Sequence, residues 1–255
     1  MTDVLSACSL SFSYPGSEPL FEDLSFSLQA GEALGIIGPS GCGKSTLALM
    51  LCGIIPHCVD GRVGGSVSIL GKNLCELTLP QIATRIGIVF QDPETQLFLP
   101  QIESELAFGP ENLCLPKEEI EKVISEVAEL TTIEPLLSQH PNEISGGQQQ
   151  LAALSAVLCL DPALLILDEV TSQLDQDSGE RILAVIKQLT GKGKTVVMID
   201  HNFERLHFVD RVLMMGAEGQ HYIGKSRDVL NNKDLLLNCF GDSTGEIILD
   251  EFLDC

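Results

Sequence analysis

Apolar residues along this chain fall into short runs separated by amphipathic segments. Eight runs read as strands: "SLSFSY", "LSFSL", "ALGII", "SVSIL", "IGIVF", "ALLIL", "TVVMI" and "RVLMM". Several lack polar alternation, the pattern of a strand covered on both faces. The early ones alternate and are joined by turns such as "QAGE", which points to an antiparallel sheet. Between "IGIVF" and "ALLIL" the period becomes helical. In "KEEIEKVISEVAEL", Ile120, Val123, Ile124, Val127 and Leu130 share one face and glutamates the other. The pattern predicts an α/β core within residues 1–230, interrupted by a helical insertion at about 92–160. A weaker helical tail follows at 231–255, and its stretch "GDSTGEIILDEFLDC" fits no clear element.

One predicted helix starts oddly. "NEISGGQQQLAALSAVL" has helical spacing and ends before Asp161 and Pro162, yet it opens on Gly146 and Gly147. Each glycine costs a helix about 1 kcal/mol relative to alanine. A helix amino terminus carries unpaired N–H groups and about half a positive charge. Ser145 is a good N-cap whose hydroxyl could instead turn to a ligand, and bare glycines would let an anion approach.

A second anion site is explicit. "GPSGCGKST" follows the strand "ALGII" and precedes the helical "LALML". It fits the phosphate-loop pattern at Gly38, Gly43, Lys44 and Ser45, with Pro39, Ser40, Gly41, Cys42 and Thr46 completing the loop. Backbone N–H groups would face the phosphates, Lys44 would neutralise β/γ oxygens and the Ser45 hydroxyl would bind Mg²⁺. The buried strand "ALLILDE" ends in Asp168 and Glu169, where α/β folds hold ligands. Asp168 suits the Mg²⁺ shell, and Glu169 suits orienting and deprotonating an attacking water. The chain is expected to bind a nucleoside triphosphate, with ATP and Mg²⁺ as its cofactors.

Composition narrows the setting. A formal net charge of −21, with only 15 Lys and Arg, disfavours direct nucleic-acid binding and leaves a solvated surface or a basic partner. Nine cysteines without a C-x-x-C pair read as reduced cytosolic thiols. "MTDVLSACSL" has no basic region before its apolar residues, so a secretory signal is not expected. The longest apolar run, "LAALSAVLCL", falls short of the ~18 residues of a membrane span.

"ISGGQ" resembles the signature of the ATP-binding cassette (ABC) family, and further motifs of that family follow in order. The resemblance covers about residues 4–230. It implies an α/β P-loop NTPase fold, the ABC nucleotide-binding domain, with an antiparallel β subdomain and an inserted α-helical subdomain. It also implies a head-to-tail dimer in which Ser145, Gly146, Gly147 and Gln148 of one cassette cap the γ-phosphate held by the other. By the same resemblance Tyr14 in "FSYPG" stacks on adenine, and Gln91 contacts Mg²⁺ and water. Asp175 in "SQLD" lies in the loop coupling the two sites, and His201 is the switch residue at the γ-phosphate. Catalysis would rest on Glu169, His201, Gln91 and Lys44, and Mg²⁺ on Ser45, Gln91 and Asp168. Three residues depart from the pattern: Leu151 where arginine is frequent, Val170 where proline is common, and Asp200 where threonine is usual.

"FQDPETQLFLPQIESELAFGPENLCLP" is similar to the ATPases of energy-coupling-factor importers, which take up vitamins and transition-metal ions. That resemblance implies docking of Asp92, Glu94, Glu103 and Glu105 against arginines of an integral membrane scaffold subunit. A separate substrate-binding membrane subunit would read the cargo. The second cassette could be a copy or a paralogue, and the assembly would sit peripherally on the cytoplasmic membrane face. The rival readings are an ATPase of a conventional importer or exporter, and a soluble non-transport ABC protein.

Overall fold

The protein's structure, a computed structural model, describes residues 3–216 and 219–240. The early alternating runs build a small antiparallel sheet from β1 (Asp3–Ser13), β2 (Phe21–Gln29), β4 (Arg62–Ile69) and β5 (Lys72–Asn73), in the order β2-β1-β4-β5. The unbroken runs form a second sheet from β3 (Ala33–Ile37), β6 (Ile86–Val89), β7 (Leu164–Asp168), β8 (Thr195–Ile199), β9 (Arg211–Met215) and β10 (His221–Lys225). Its order is β10-β9-β3-β8-β7-β6, parallel throughout except for β10.

β5 and β10 went unpredicted for physical reasons. β5 is two residues long, and β10, "HYIGK", is an exposed to half-buried edge without an apolar run. Arg211 ties the sheets together: its Nη1 donates to the Ser27 carbonyl (3.0 Å) and to Glu32 Oε1 (3.1 Å).

Helices α1 (Lys44–Leu51), α2 (Ile54–His57) and α3 (Leu79–Ala83) alternate with the strands of both sheets. Next come α4 (Ile102–Asn112), α5 (Lys117–Thr131) and α6 (Gly146–Leu158), the helical insertion. α7 (Gln176–Gly191), α8 (Ser226–Leu230) and α9 (Lys233–Phe240) complete the described residues.

The large sheet is covered on both faces, as its unbroken runs require. In β7, Leu164 and Ile166 join the core beneath the small sheet and α1, while Leu165 and Leu167 face the helices. Each such leucine contributes roughly 1.5–3 kcal/mol by leaving water. The apolar stripe of α5 packs into the helix-side core as its spacing predicts, with Ile124 and Val127 buried. Leu151 and Val170, two of the departures, are buried there too. Leu236 of α9 is also wholly buried in this core. "GDSTGEIILDEFLDC" lies outside the described residues apart from its preceding helix. No helix among the described residues is long and apolar enough to cross a membrane.

Candidate functional site

Four parallel strands, β3, β6, β7 and β8, end on one edge of the large sheet, and each delivers part of the site there. β3 runs into the loop "GPSGCG" and on to α1, whose N-cap, Gly43, has a left-handed backbone (φ 102°) that a Cβ would strain. No side chain caps α1, so its first N–H groups remain open to a ligand's oxygens. Lys44 is buried, and its Nζ donates to the carbonyls of Gly38 (2.8 Å) and Pro39 (3.0 Å), arching over the loop. Burial pushes the Cys42 thiol above its ordinary value against the pull of the Lys44 charge, so the cradle gains no anion from sulfur. Tyr14 stands at the mouth, 37% exposed. Its ring is held edge-on by Phe12 (4.9 Å between centroids) and its hydroxyl lies 3.2 Å from Thr46 Oγ1.

The Ser45 hydroxyl donates to Asp168 Oδ1 at 3.1 Å, joining the phosphate loop to the end of β7. Burial raises the Asp168 carboxyl above its usual value; the Ser45 hydrogen bond and Lys44 oppose that shift and Glu169 adds to it. Glu169 adopts a left-handed backbone (φ 50°), rare for a residue with a Cβ, which turns the chain sharply as β7 ends. Its carboxylate is 21% exposed and lies 4.0 Å from His201 Nδ1. Gln91, past the end of β6, donates through Nε2 to Ser172 Oγ (3.1 Å), and that hydroxyl donates to the Glu169 carbonyl (2.9 Å). Lys44, Ser45, Asp168, Glu169, Gln91 and His201 therefore share one edge.

The amino terminus of α6 lies apart from this edge in sequence and is closed by its own side chains. Ser145 Oγ accepts from the Gln148 N–H (3.4 Å), and Gln148 Oε1 accepts from the Ser145 N–H (2.9 Å), a closed capping box. Ser145 and Gly146 are exposed, and a Cβ on Gly146 would meet only Leu174 Cδ2 at 4.0 Å. Gly147 departs from the expectation. It is buried, and a Cβ there would lie 2.4 Å from Ser178 Oγ, so close packing on α7 demands this glycine. Of the pair, Gly146 alone is exposed.

Ser178, unremarked in the sequence, serves a second contact. Its N–H (3.0 Å) and hydroxyl (2.7 Å) both donate to Asp175, the N-cap of α7, and hold that carboxyl below its ordinary value. The signal was present: an Asp followed three residues later by a hydroxyl at a helix start. Two further glutamines act here. Gln150 Nε2 donates to the Phe90 carbonyl (2.9 Å), and Gln96 bonds Phe90 N–H and the Ile88 carbonyl (2.8 and 3.1 Å). Together they fix the segment that carries Gln91.

Of the four acids expected to face a partner, Asp92, Glu94 and Glu103 are exposed. Asp92 also caps the turn Pro93–Thr95 by accepting the Glu94 N–H (3.0 Å). Glu105 corrects the expectation: it is 5% exposed and accepts the backbone N–H groups of Phe98 and Leu99. It shapes the loop before α4 and offers no charge to a partner. Above it Phe98 (65% exposed) and Phe108 (44%) meet edge-on at 5.1 Å, beside a groove of about 710 Å³ between α4 and α5 that Glu103 and Glu111 line.

The chain is similar to known proteins over most of its length. The ABC transporter family model matches residues 21–172. The energy-coupling factor transporter ATP-binding protein EcfA of Methanosarcina acetivorans is 40% identical over 228 residues, 89% of this chain and 81% of that protein. YkoD of Bacillus subtilis, named as an HMP/thiamine import ATP-binding protein, is 40% identical over 86% of this chain, which spans 41% of it. The structure of cbiO1 from Clostridium perfringens, described as part of the ABC transporter complex cbiONQ, aligns with a TM-score of 0.81 and 27% identity. That alignment covers 98% of this chain and 100% of the other. The phosphate loop, the acids ending β7 and the family match lead to one conclusion: this chain belongs to the ABC transporter family, as an ATPase that binds and hydrolyses ATP to power transport.

Proposed function

We propose that the chain is the ATP-hydrolysing subunit of an energy-coupling-factor type importer of a vitamin or transition-metal ion, and that it acts in a head-to-tail pair of cassettes. The observation carrying the paired reading is the α6 terminus, exposed at Ser145 and Gly146 and bordered by Leu174 and Ser178. Its dipole end, capped at Gln148 N–H but exposed at Gly146, suits a phosphate delivered by a second cassette, either a copy or a paralogue. The names of the EcfA and YkoD relatives support the importer type.

Within each site, Lys44 exchanges the Gly38 and Pro39 carbonyls for β/γ oxygens, and Tyr14 stacks on adenine. The Ser45 hydroxyl, the Asp168 carboxylate and the Gln91 amide offer hard oxygen donors, a set that fits Mg²⁺. Bound there, the ion would neutralise charge on the phosphates. Glu169 takes a proton from a water whose oxygen forms the new bond to the γ-phosphorus as the bond to ADP breaks. His201 and the partner's signature hold the γ-phosphoryl group, with Asp175 coupling the two sites. Binding closes the pair, and phosphate release reopens it.

Membrane attachment is by partner subunits. The exposed Phe98 and Phe108, flanked by Glu94 and Glu103, match a basic amphipathic segment of a scaffold on the cytoplasmic face. Glu169→Gln tests the central assignment: turnover should fall by about 10²–10³ while Mg·ATP holds the chain as a pair in small-angle scattering. Near-normal turnover in that variant refutes Glu169 as the base. A nucleotide enclosed within one chain refutes the pair. Copurification with an integral scaffold and a small substrate-binding membrane protein separates this importer type from conventional ones.

A further inference from the structure

Asp200 stands where the resemblance leads one to expect threonine, and its side chain is wholly buried. A carboxylate removed from water is costly unless both oxygens find donors, so its partners are informative. Oδ2 accepts the Thr171 hydroxyl at 2.8 Å, and Oδ1 accepts the Asn202 N–H at 2.8 Å. The Arg205 guanidinium lies 3.7 Å from Oδ2 and donates to the Thr171 hydroxyl (2.8 Å) and carbonyl (3.2 Å). Thr171 Oγ1 thus donates to the acid and accepts from the base. Three segments meet at this one carboxylate: the turn after Glu169, the end of β8 just before His201, and the turn Phe203–Leu206. The His201 Nδ1 atom lies 3.9 Å from Asp200 Oδ1 and 4.0 Å from Glu169 Oε2.

The geometry assigns Asp200 the role of a positioning residue, which clamps the Glu169 turn to the His201 turn through Thr171 and Arg205. Being fully covered, it touches no phosphate itself. It sets the distance between the water-activating carboxylate and the switch imidazole, a separation on which turnover depends more than ATP affinity does. This inference rests on the roles proposed above for Glu169 and His201.

The test uses the purified full chain, with ATP turnover measured over a range of Mg·ATP concentrations. Thr171→Val keeps the shape and removes the bridging hydroxyl; Asp200→Asn keeps the shape and removes one acceptor. Each should lower kcat about tenfold and leave KM for ATP within about twofold. The double variant should fall no lower than the weaker single one, because both act on the same bridge, Thr171→Val on its hydroxyl and Asp200→Asn on the charge facing Arg205. Thr171→Ser keeps the hydroxyl and should retain wild-type kcat despite a lower melting temperature, an ordering that a purely structural role would reverse. If Thr171→Val does not fold, Asp200→Asn carries the same comparison. Wild-type kcat in the folded variants, a loss confined to KM, or Thr171→Ser behaving as Thr171→Val overturns the clamp. Glu169→Gln separates the two levels. If it is inactive while the clamp variants match wild type, only the role of Asp200 falls; if it remains active, the underlying assignment falls.

Discussion

Gly146 and Gly147 are chemically identical neighbours that answer to different forces. An alanine at 147 would place its methyl 2.5 Å from Ser178 Cβ, a contact the helices must open to accommodate. Overpacking of this kind costs about 1–3 kcal/mol, more than the ~1 kcal/mol of helix propensity gained. Gly147→Ala should therefore lower the melting temperature in a thermal scan. Gly146→Ala has room, and should leave the melting temperature equal or slightly raised while ATP turnover falls, since in the proposed pair its methyl would face the incoming phosphate. A destabilised Gly146→Ala with unchanged turnover would contradict this division. The sequence makes both glycines visible as anomalies, but it does not separate them: the difference depends on Ser178, which only the packing of α7 brings alongside.

Among the elements, β7 shows how a buried strand and a catalytic end share one run. Leu164 to Leu167 are wholly buried, and that burial extends to Asp168. Folding thus favours the protonated form of Asp168, whose carboxyl burial holds above its usual value. Ionisation opposes folding in the nucleotide-free chain. Stability from this group is intact below the ordinary carboxylate range and is lost as pH rises through the raised value. Asp168→Asn escapes that loss. Its melting temperature should exceed wild type at neutral pH, the gap should close as pH falls toward the usual aspartate range, and Mg²⁺-dependent hydrolysis should disappear. Calorimetry at several pH values checks the trend, and a variant less stable than wild type at neutral pH would refute it. Strand β7 and helix α5 were legible because each buries a pattern of its own period. β10 was not, since it gains its place by pairing with β9.

For the whole molecule, the formal charge of −21 leaves open where the acids act. The fold sorts them. Glu105 is consumed by the backbone before α4, Asp92 caps a turn, and Glu94 and Glu103 remain exposed, Glu103 lining the groove beside Phe108. Glu94→Lys combined with Glu103→Lys should weaken capture of the membrane subunits about tenfold or more and leave Mg·ATP binding unchanged. Pull-down from solubilised membranes measures the first and nucleotide titration the second. Undiminished capture would exclude this surface as the docking face. Glu105→Ala should differ, loosening the loop at Phe98 and lowering stability by about 1–3 kcal/mol through loss of a buried acceptor.

By itself the sequence determined the unbroken strands, the phosphate loop, the acids ending β7 and the capped start of α6. Each is written in residues adjacent along the chain, whose spacing is the signal. Tertiary structure alone decided that Gly147 serves a helix contact, that Glu105 turns inward, and that Asp200 joins Thr171 and Arg205. Those outcomes depend on groups far apart in sequence, and a buried polar or crowded position is defined only by what surrounds it.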